Sequence, residues 1–166
     1  MNAGDIVLYD GELSRLKSIL ARTQRAITAD LVLLVERSGQ MICSCGPAGQ
    51  IDLTALSSLA AANIAATDSL ARLVGEGEFS VLSHQGKHRS ILISTVTSRF
   101  CLVVVYPGGT APNVVRLRVK HAAAYLEEVF RHLARRARDG RNAAPGTAAG
   151  PPLDFTDEEI DRLLEN

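Results

Sequence analysis

An α+β fold is what this sequence predicts, and three observations carry the prediction. Apolar residues recur at helical spacing in three separate segments. Five short runs rich in Val, Ile, Leu and Phe lie between those segments. The turns inside the run pair and the run triplet are too short for crossovers, so those strands are antiparallel neighbours. At 166 residues and 46% apolar composition, the chain fits one globular domain with a real core.

The elements follow in order. Ile6 to Tyr9 reads as a short strand or an extended arm. Glu12 to Ile27 is a helix, with Leu13, Leu16, Leu20, Thr23 and Ile27 on one side. Leu31 to Val35 is a continuous apolar run and reads as a buried strand; Met41 to Cys45 follows after the turn Arg37-Ser38-Gly39-Gln40, making a hairpin. Gly46-Pro47-Ala48-Gly49 breaks the pattern. After the next helix, Phe79 to His84, Ser90 to Val96 and Phe100 to Tyr106 form a three-stranded meander. Val114 to about Arg138 is the third helix, with Val115, Val119, Ala122, Leu126, Val129, Phe130 and Leu133 as its stripe.

The helix from Ile51 to Val74 is the most informative stretch. Asp52 is placed to cap it, and Gly75 and Gly77 end it. At about 100° per residue, Leu53, Leu56, Ala60, Ile64, Thr67, Ala71 and Val74 share the bulky side, which reads as a core stripe. The opposite side holds Ala55, Ser58, Ala62, Ala65, Ala66 and Ser69. A solvated helix face normally carries Lys, Glu and Arg, whereas Ala and Ser let another backbone approach closely. That face is expected to be a contact surface, for self-association or partner docking. The alternative is a helix buried on both sides within one domain.

The C-terminal part differs. Residues 139–152 (DGRNAAPGTAAGPP) lack core residues and read as a flexible linker after a domain spanning 1–138. Residues 153–166 read as a small amphipathic helix. Thr156 and Glu159 make a capping box, and Asp157, Glu158 and Glu159 suit the positive end of the dipole. Phe155, Ile160, Leu163 and Leu164 form its apolar side. A helix of about ten residues is marginal alone, so that side needs something to pack on.

Much chemistry is absent from the sequence. Lys+Arg and Asp+Glu both number 18, so nothing overall points to nucleic acid or an anionic membrane. No apolar stretch approaches the roughly 20 residues of a membrane span, and no secretory signal is recognisable. Three cysteines cannot all pair within one chain; a reduced, cytoplasmic setting is the simplest account. There is no phosphate-binding GK[ST] loop, and Gly75-x-Gly77 precedes a strand, the wrong context for a dinucleotide fingerprint. No catalytic constellation and no cofactor site is expected. Cys43-x-Cys45 puts both thiols on one strand face, and zinc would need His84 and His88 as further ligands; small buried hydrophobes are the preferred role for the cysteines. His121 and His132 lie on a helix without an obvious acid partner. The basic helix end, Arg131, Arg135, Arg136 and Arg138, reads as a solvated face rather than an RNA patch, with the acidic tail as a partner in cis.

The order helix, two strands, long helix, three strands, helix resembles the roadblock domain, the family of the dynein light chains of that name. The resemblance covers roughly Glu12 to Arg138. It is carried by LVLLVERSGQMICSCG (31–46), IDLTALSSLAAANIAATDSLARLVGEGEF (51–79) and VVRLRVKHA (114–122). The opening VLYDGEL and the ending DEEIDRLLEN resemble the MglB branch of that family, bacterial regulators of the Ras-like small GTPase MglA. The resemblance implies an α/β/α sandwich. A five-stranded antiparallel sheet would carry the long central helix on one face and the N- and C-terminal helices on the other. It implies a homodimer with the small-residue helix near the seam, forming one platform for one MglA-type GTPase. Such a regulator stimulates hydrolysis by remodelling the partner's switch regions, without an arginine finger, in cell polarity or motility. The tail helix is associated with a second GTPase surface and with nucleotide exchange. The other function class is a roadblock scaffold that binds a GTPase or motor complex without altering turnover. A ligand-sensing module is a distant third. The resemblance assigns no role to Cys43, Cys45 and Cys101.

Overall fold

The computed structural model describes residues 10–142, with side chains through Arg136. Eight elements follow one another: α1 (Asp10–Ile27), β1 (Leu31–Glu36), β2 (Met41–Cys45), α2 (Leu53–Leu73), β3 (Val81–His84), β4 (Arg89–Thr95), β5 (Phe100–Pro107) and α3 (Pro112–Asn142). The strands form one antiparallel sheet in the order β2-β1-β5-β4-β3. The α+β prediction holds, with a single five-stranded sheet between helices.

The burial pattern explains why the strands read as unbroken apolar runs. Leu31, Leu33 and Val35 of β1 pack with Val103 and Val105 of β5 and with Ala60 and Ile64 of α2. Val32 and Leu34, one residue out of phase, pack with Leu102 and Val104 and with α1 and α3. Alternate side chains point to opposite faces of a sheet, so a strand covered on both faces is apolar at every position.

The first face is closed by two helices. Leu16, Ile19 and Leu20 of α1 and Val115, Val119, Ala122 and Leu126 of α3 are all at most 1% exposed. Phe130 stacks on Phe100 of β5 with ring centroids 4.1 Å apart, which ties α3 to the sheet. Thr23 of α1 is buried because its hydroxyl donates to the Ile19 carbonyl at 2.9 Å, leaving no unmet polar group. The predicted stripes of both helices lie on this face.

Two glycines are dictated by geometry. Gly46 after β2 has φ of 105°, and a Cβ there would lie 2.4 Å from the Asp30 carbonyl oxygen. Gly39 in the β1–β2 turn has φ of 93°, and its Cβ would meet the Ser58 Cα at 3.2 Å. Both positions combine left-handed backbone with close approach, which only glycine tolerates well.

Some boundaries differ from the expectation. Strand β3 begins at Val81, so Phe79 precedes it and is 42% exposed. Helix α3 begins at Pro112, where proline's fixed φ and missing N–H suit the first helical turn. It continues to Asn142, so 139–142 are helical rather than linker. The N-terminal arm (Ile6 to Tyr9), the rest of the predicted linker and the tail, with Phe155, Ile160, Leu163 and Leu164, lie outside the described residues.

Candidate functional surface

The second face of the sheet is covered by one helix, and that helix carries the candidate surface. Asp52 caps α2: its Oδ1 accepts from the Thr54 and Ala55 amides, each at 3.0 Å. Ala60, Ile64 and Ala71 from the predicted stripe are buried, as are Ser57 and Ala61 beside them. Leu53 and Leu56 pack at the edge of this smaller core, and Thr67 is half-buried. Small residues against the sheet let the helix axis sit close to it.

Two contacts from the β1–β2 turn hold α2 in place. The Arg37 guanidinium pairs with Asp68 of α2, and Gly39 presses against Ser58. Glu36, at the root of the same turn, is bound by Arg99 from the β4–β5 turn, and that hydrogen bond holds its carboxyl below the usual range despite some desolvation. Partly exposed pairs like these contribute little stability, about 0–1 kcal/mol each, but they fix the turn's position.

All six small residues predicted as a contact face are exposed: Ala55, Ser58, Ala62, Ala65, Ala66 and Ser69. The Ser69 hydroxyl turns inward on its own helix, donating to the Ala65 carbonyl at 3.0 Å and accepting from Arg72 at 2.9 Å. Asn63 likewise donates to the Leu59 carbonyl at 2.9 Å. Polar side chains that spend their hydrogen bonds on their own helix leave a surface that is smooth and weakly hydrated.

Sequence reasoning missed the bulkier part of this surface. Leu59 is 62% exposed, Leu70 58% and Leu73 81%. With Ala62 and Ala66 they form a line at spacings of three and four residues, the spacing of a helix–helix seam. That spacing was the available signal. Val74, assigned to the core stripe, is instead 67% exposed. It is the residue at which α2 ends, beyond the reach of the sheet. The only charges on α2 are Asp68, tied to Arg37, and Arg72.

The other candidates are placed as follows. Cys43 is buried and Cys45 half-buried on the α1/α3 face, whereas Cys101 is buried on the α2 face. Burial pushes the Cys43 and Cys101 thiols up to about 11, which makes them poor nucleophiles and poor metal ligands. Cys43 and Cys45 sit on β2, and His84 and His88 lie at β3 and its turn, the opposite edge of the sheet. Four strand spacings, about 19 Å, separate those edges, so the zinc set cannot assemble in one chain. Among the described residues, no group of three or more His, Cys, Asp or Glu converges as a metal site. No described helix is long and apolar enough to cross a membrane. In the basic end of α3, Arg131 pairs with Glu127 at 2.8 Å and Arg136 with Glu12 of α1 at 3.3 Å.

Comparison with known proteins agrees with this geometry. The Roadblock/LC7 domain model matches residues 16–106. The solved structure of Myxococcus xanthus MglB is 38% identical, with a TM-score of 0.72, covering 76% of this chain and 96% of that one. The gliding protein MglB from Thermus thermophilus is 29% identical, with a TM-score of 0.70 over 74% of this chain and 93% of its own. A structure described as MglB with a tetrameric arrangement is also 29% identical, with a TM-score of 0.72 over 76% of this chain and 96% of its own. No curated protein matches the chain.

Proposed function

The chain belongs to the Roadblock/LC7 domain family, and on that premise we propose that it regulates a Ras-like small GTPase of the MglA type, as a homodimer and without catalytic residues of its own. The observation that carries this reading is the exposed outer side of α2. Ala55, Ala62, Ala65 and Ala66 admit a close backbone, and Leu59, Leu70 and Leu73 offer apolar area that no other described residue covers. Burying one such leucine contributes up to about 1.5–3 kcal/mol, so three per protomer are a substantial driving force for association.

In the proposed assembly two α2 helices, one from each protomer, make one platform for one GTPase. The platform stimulates hydrolysis by holding the partner's switch segments in their competent arrangement, which is positioning rather than covalent chemistry. The C-terminal segment, through Phe155, Ile160, Leu163 and Leu164, engages a second surface of the GTPase and aids nucleotide exchange. The setting is cytoplasmic, in cell polarity or motility.

The arginines support a mechanism without a finger. Arg89 is bound by Asp30 at 3.0 Å and Arg99 by Glu36, while Arg72 bonds Ser69 on its own helix. Changing any one of Arg72, Arg89 or Arg99 to Ala is expected to reduce stimulation by far less than the roughly 10³–10⁵ that a finger contributes. The deciding experiment is single-turnover GTP hydrolysis by an MglA-type GTPase, with and without this protein. Faster hydrolysis supports the reading. Binding with unchanged hydrolysis and exchange would make the protein a dimerisation scaffold instead.

A further inference from the structure

A groove of about 670 Å³ runs along the β3 edge, between that strand and α3. Phe79, Val81, Val96 and Ala124 give it an apolar floor, and Arg116 and Lys120 stand on its α3 rim. Arg116 and Lys120 are exposed, one turn apart, and neither makes an ion pair with any described residue. The acid on the same rim, Glu127, is already held by Arg131, and Glu78 is the remaining carboxylate of the lining. An apolar trough with two unpaired cations on one wall fits an amphipathic segment rich in acids.

We propose that this chain's own C-terminal segment, residues 153–166, docks in the β3–α3 groove when no other partner holds it. Its apolar side chains Phe155, Ile160, Leu163 and Leu164 match the floor, and its six acidic side chains against one arginine match the rim. The dimensions agree. From Arg116 to Glu127 the α3 wall is about 16 Å long, and ten helical residues, 156–165, are about 15 Å. Residues 143–152 can span up to about 33–36 Å when extended. The way back from Asn142 to Glu127 along α3 is about 22 Å, so the segment reaches the groove lying antiparallel to α3. The basic end of α3 is the poorer site, because Glu127 and Glu12 already occupy Arg131 and Arg136, and Arg135 is the one described arginine left there with no ion pair to another described residue.

The test uses the full chain and no GTPase, so its outcome is independent of the regulator reading. A nitroxide is attached at Asn166→Cys, with Cys45→Ala to remove the half-buried native thiol, and amide-resonance broadening is recorded. Broadening is expected at residues 79–82 and 116–124, with loss of that broadening in Arg116→Glu/Lys120→Glu. It should return when Asp161→Lys and Glu165→Lys are added to the same chain, and it should weaken as salt rises. Broadening confined to Arg131–Arg136, no broadening on the described domain, or broadening indifferent to both charge reversals in a folded chain would overturn the proposal.

Discussion

The two faces of the sheet are built from the same strands and end differently. On the α1/α3 face two helices interlock over the sheet, and the bulky apolar side chains of those helices that stay in solvent are Val114 and Leu117 near the start of α3, about half exposed. On the other face a single helix spans the same sheet, and its outer side keeps Leu59, Leu70 and Leu73 in water. A helix is about 10 Å wide and cannot by itself finish a five-stranded face. The first face is therefore the larger core, open only along the groove at its β3 edge. The second keeps apolar area uncovered by any described residue, and function is best sought there.

The sharpest way to break that contrast is to truncate one leucine on each side. Leu126→Ala, in the fully buried stripe of α3, is expected to cost about 2–5 kcal/mol and to lower the melting temperature accordingly. Leu70→Ala is expected to change the stability of the isolated chain by less than about 0.5 kcal/mol while weakening self-association in sedimentation. Equal losses of stability would mean that α2 is an ordinary core helix.

Next in size is the effect of a charge placed on the small-residue face. Ala65→Arg or Ser69→Arg should fold, since both positions are exposed, but should abolish stimulation of the GTPase in a hydrolysis assay. Variants that fold, bind and stimulate normally would remove this face from the mechanism. Loss of the dimer in sedimentation would assign the two residues to the seam.

Deleting residues 153–166 separates the tail from both faces. Both described cores are built from residues 13–133, so the melting temperature is expected to fall by no more than about 2–4 °C, the equivalent of roughly 1 kcal/mol. GTPase regulation should slow. A larger loss with unchanged regulation would make the tail a structural element.

The smallest effect sharpens the comparison from inside. Cys43 lies on the α1/α3 face and Cys101 under α2, and burial raises both thiols from 9.0 to about 11. A raised thiol holds its proton in the folded state after the unfolded chain has lost it. Stability is thus full below pH 9 and declines as pH rises from 9 towards 11. In a native-state thiol titration at pH 8 both should react slowly and at similar rates. Faster modification of Cys101 would show that α2 lifts from the sheet.

The element order, the stripes of α1 and α3, the Asp52 cap and the shared strand face of Cys43 and Cys45 were legible because they depend on spacing along the chain. Periodicity also separated the two sides of α2. It did not reveal that Leu59, Leu70 and Leu73 are left uncovered, or that Val74 falls outside the core. A helical period tells which residues share a side, whereas exposure depends on where the sheet stops and which helix lies alongside. The Arg37–Asp68 pair, the Gly39–Ser58 contact and the separation of Cys43 from His84 were equally out of reach. The first two are set by how α2 packs across the sheet, and the third by the β1–β5 pairing that joins the hairpin to the meander, which no local pattern encodes.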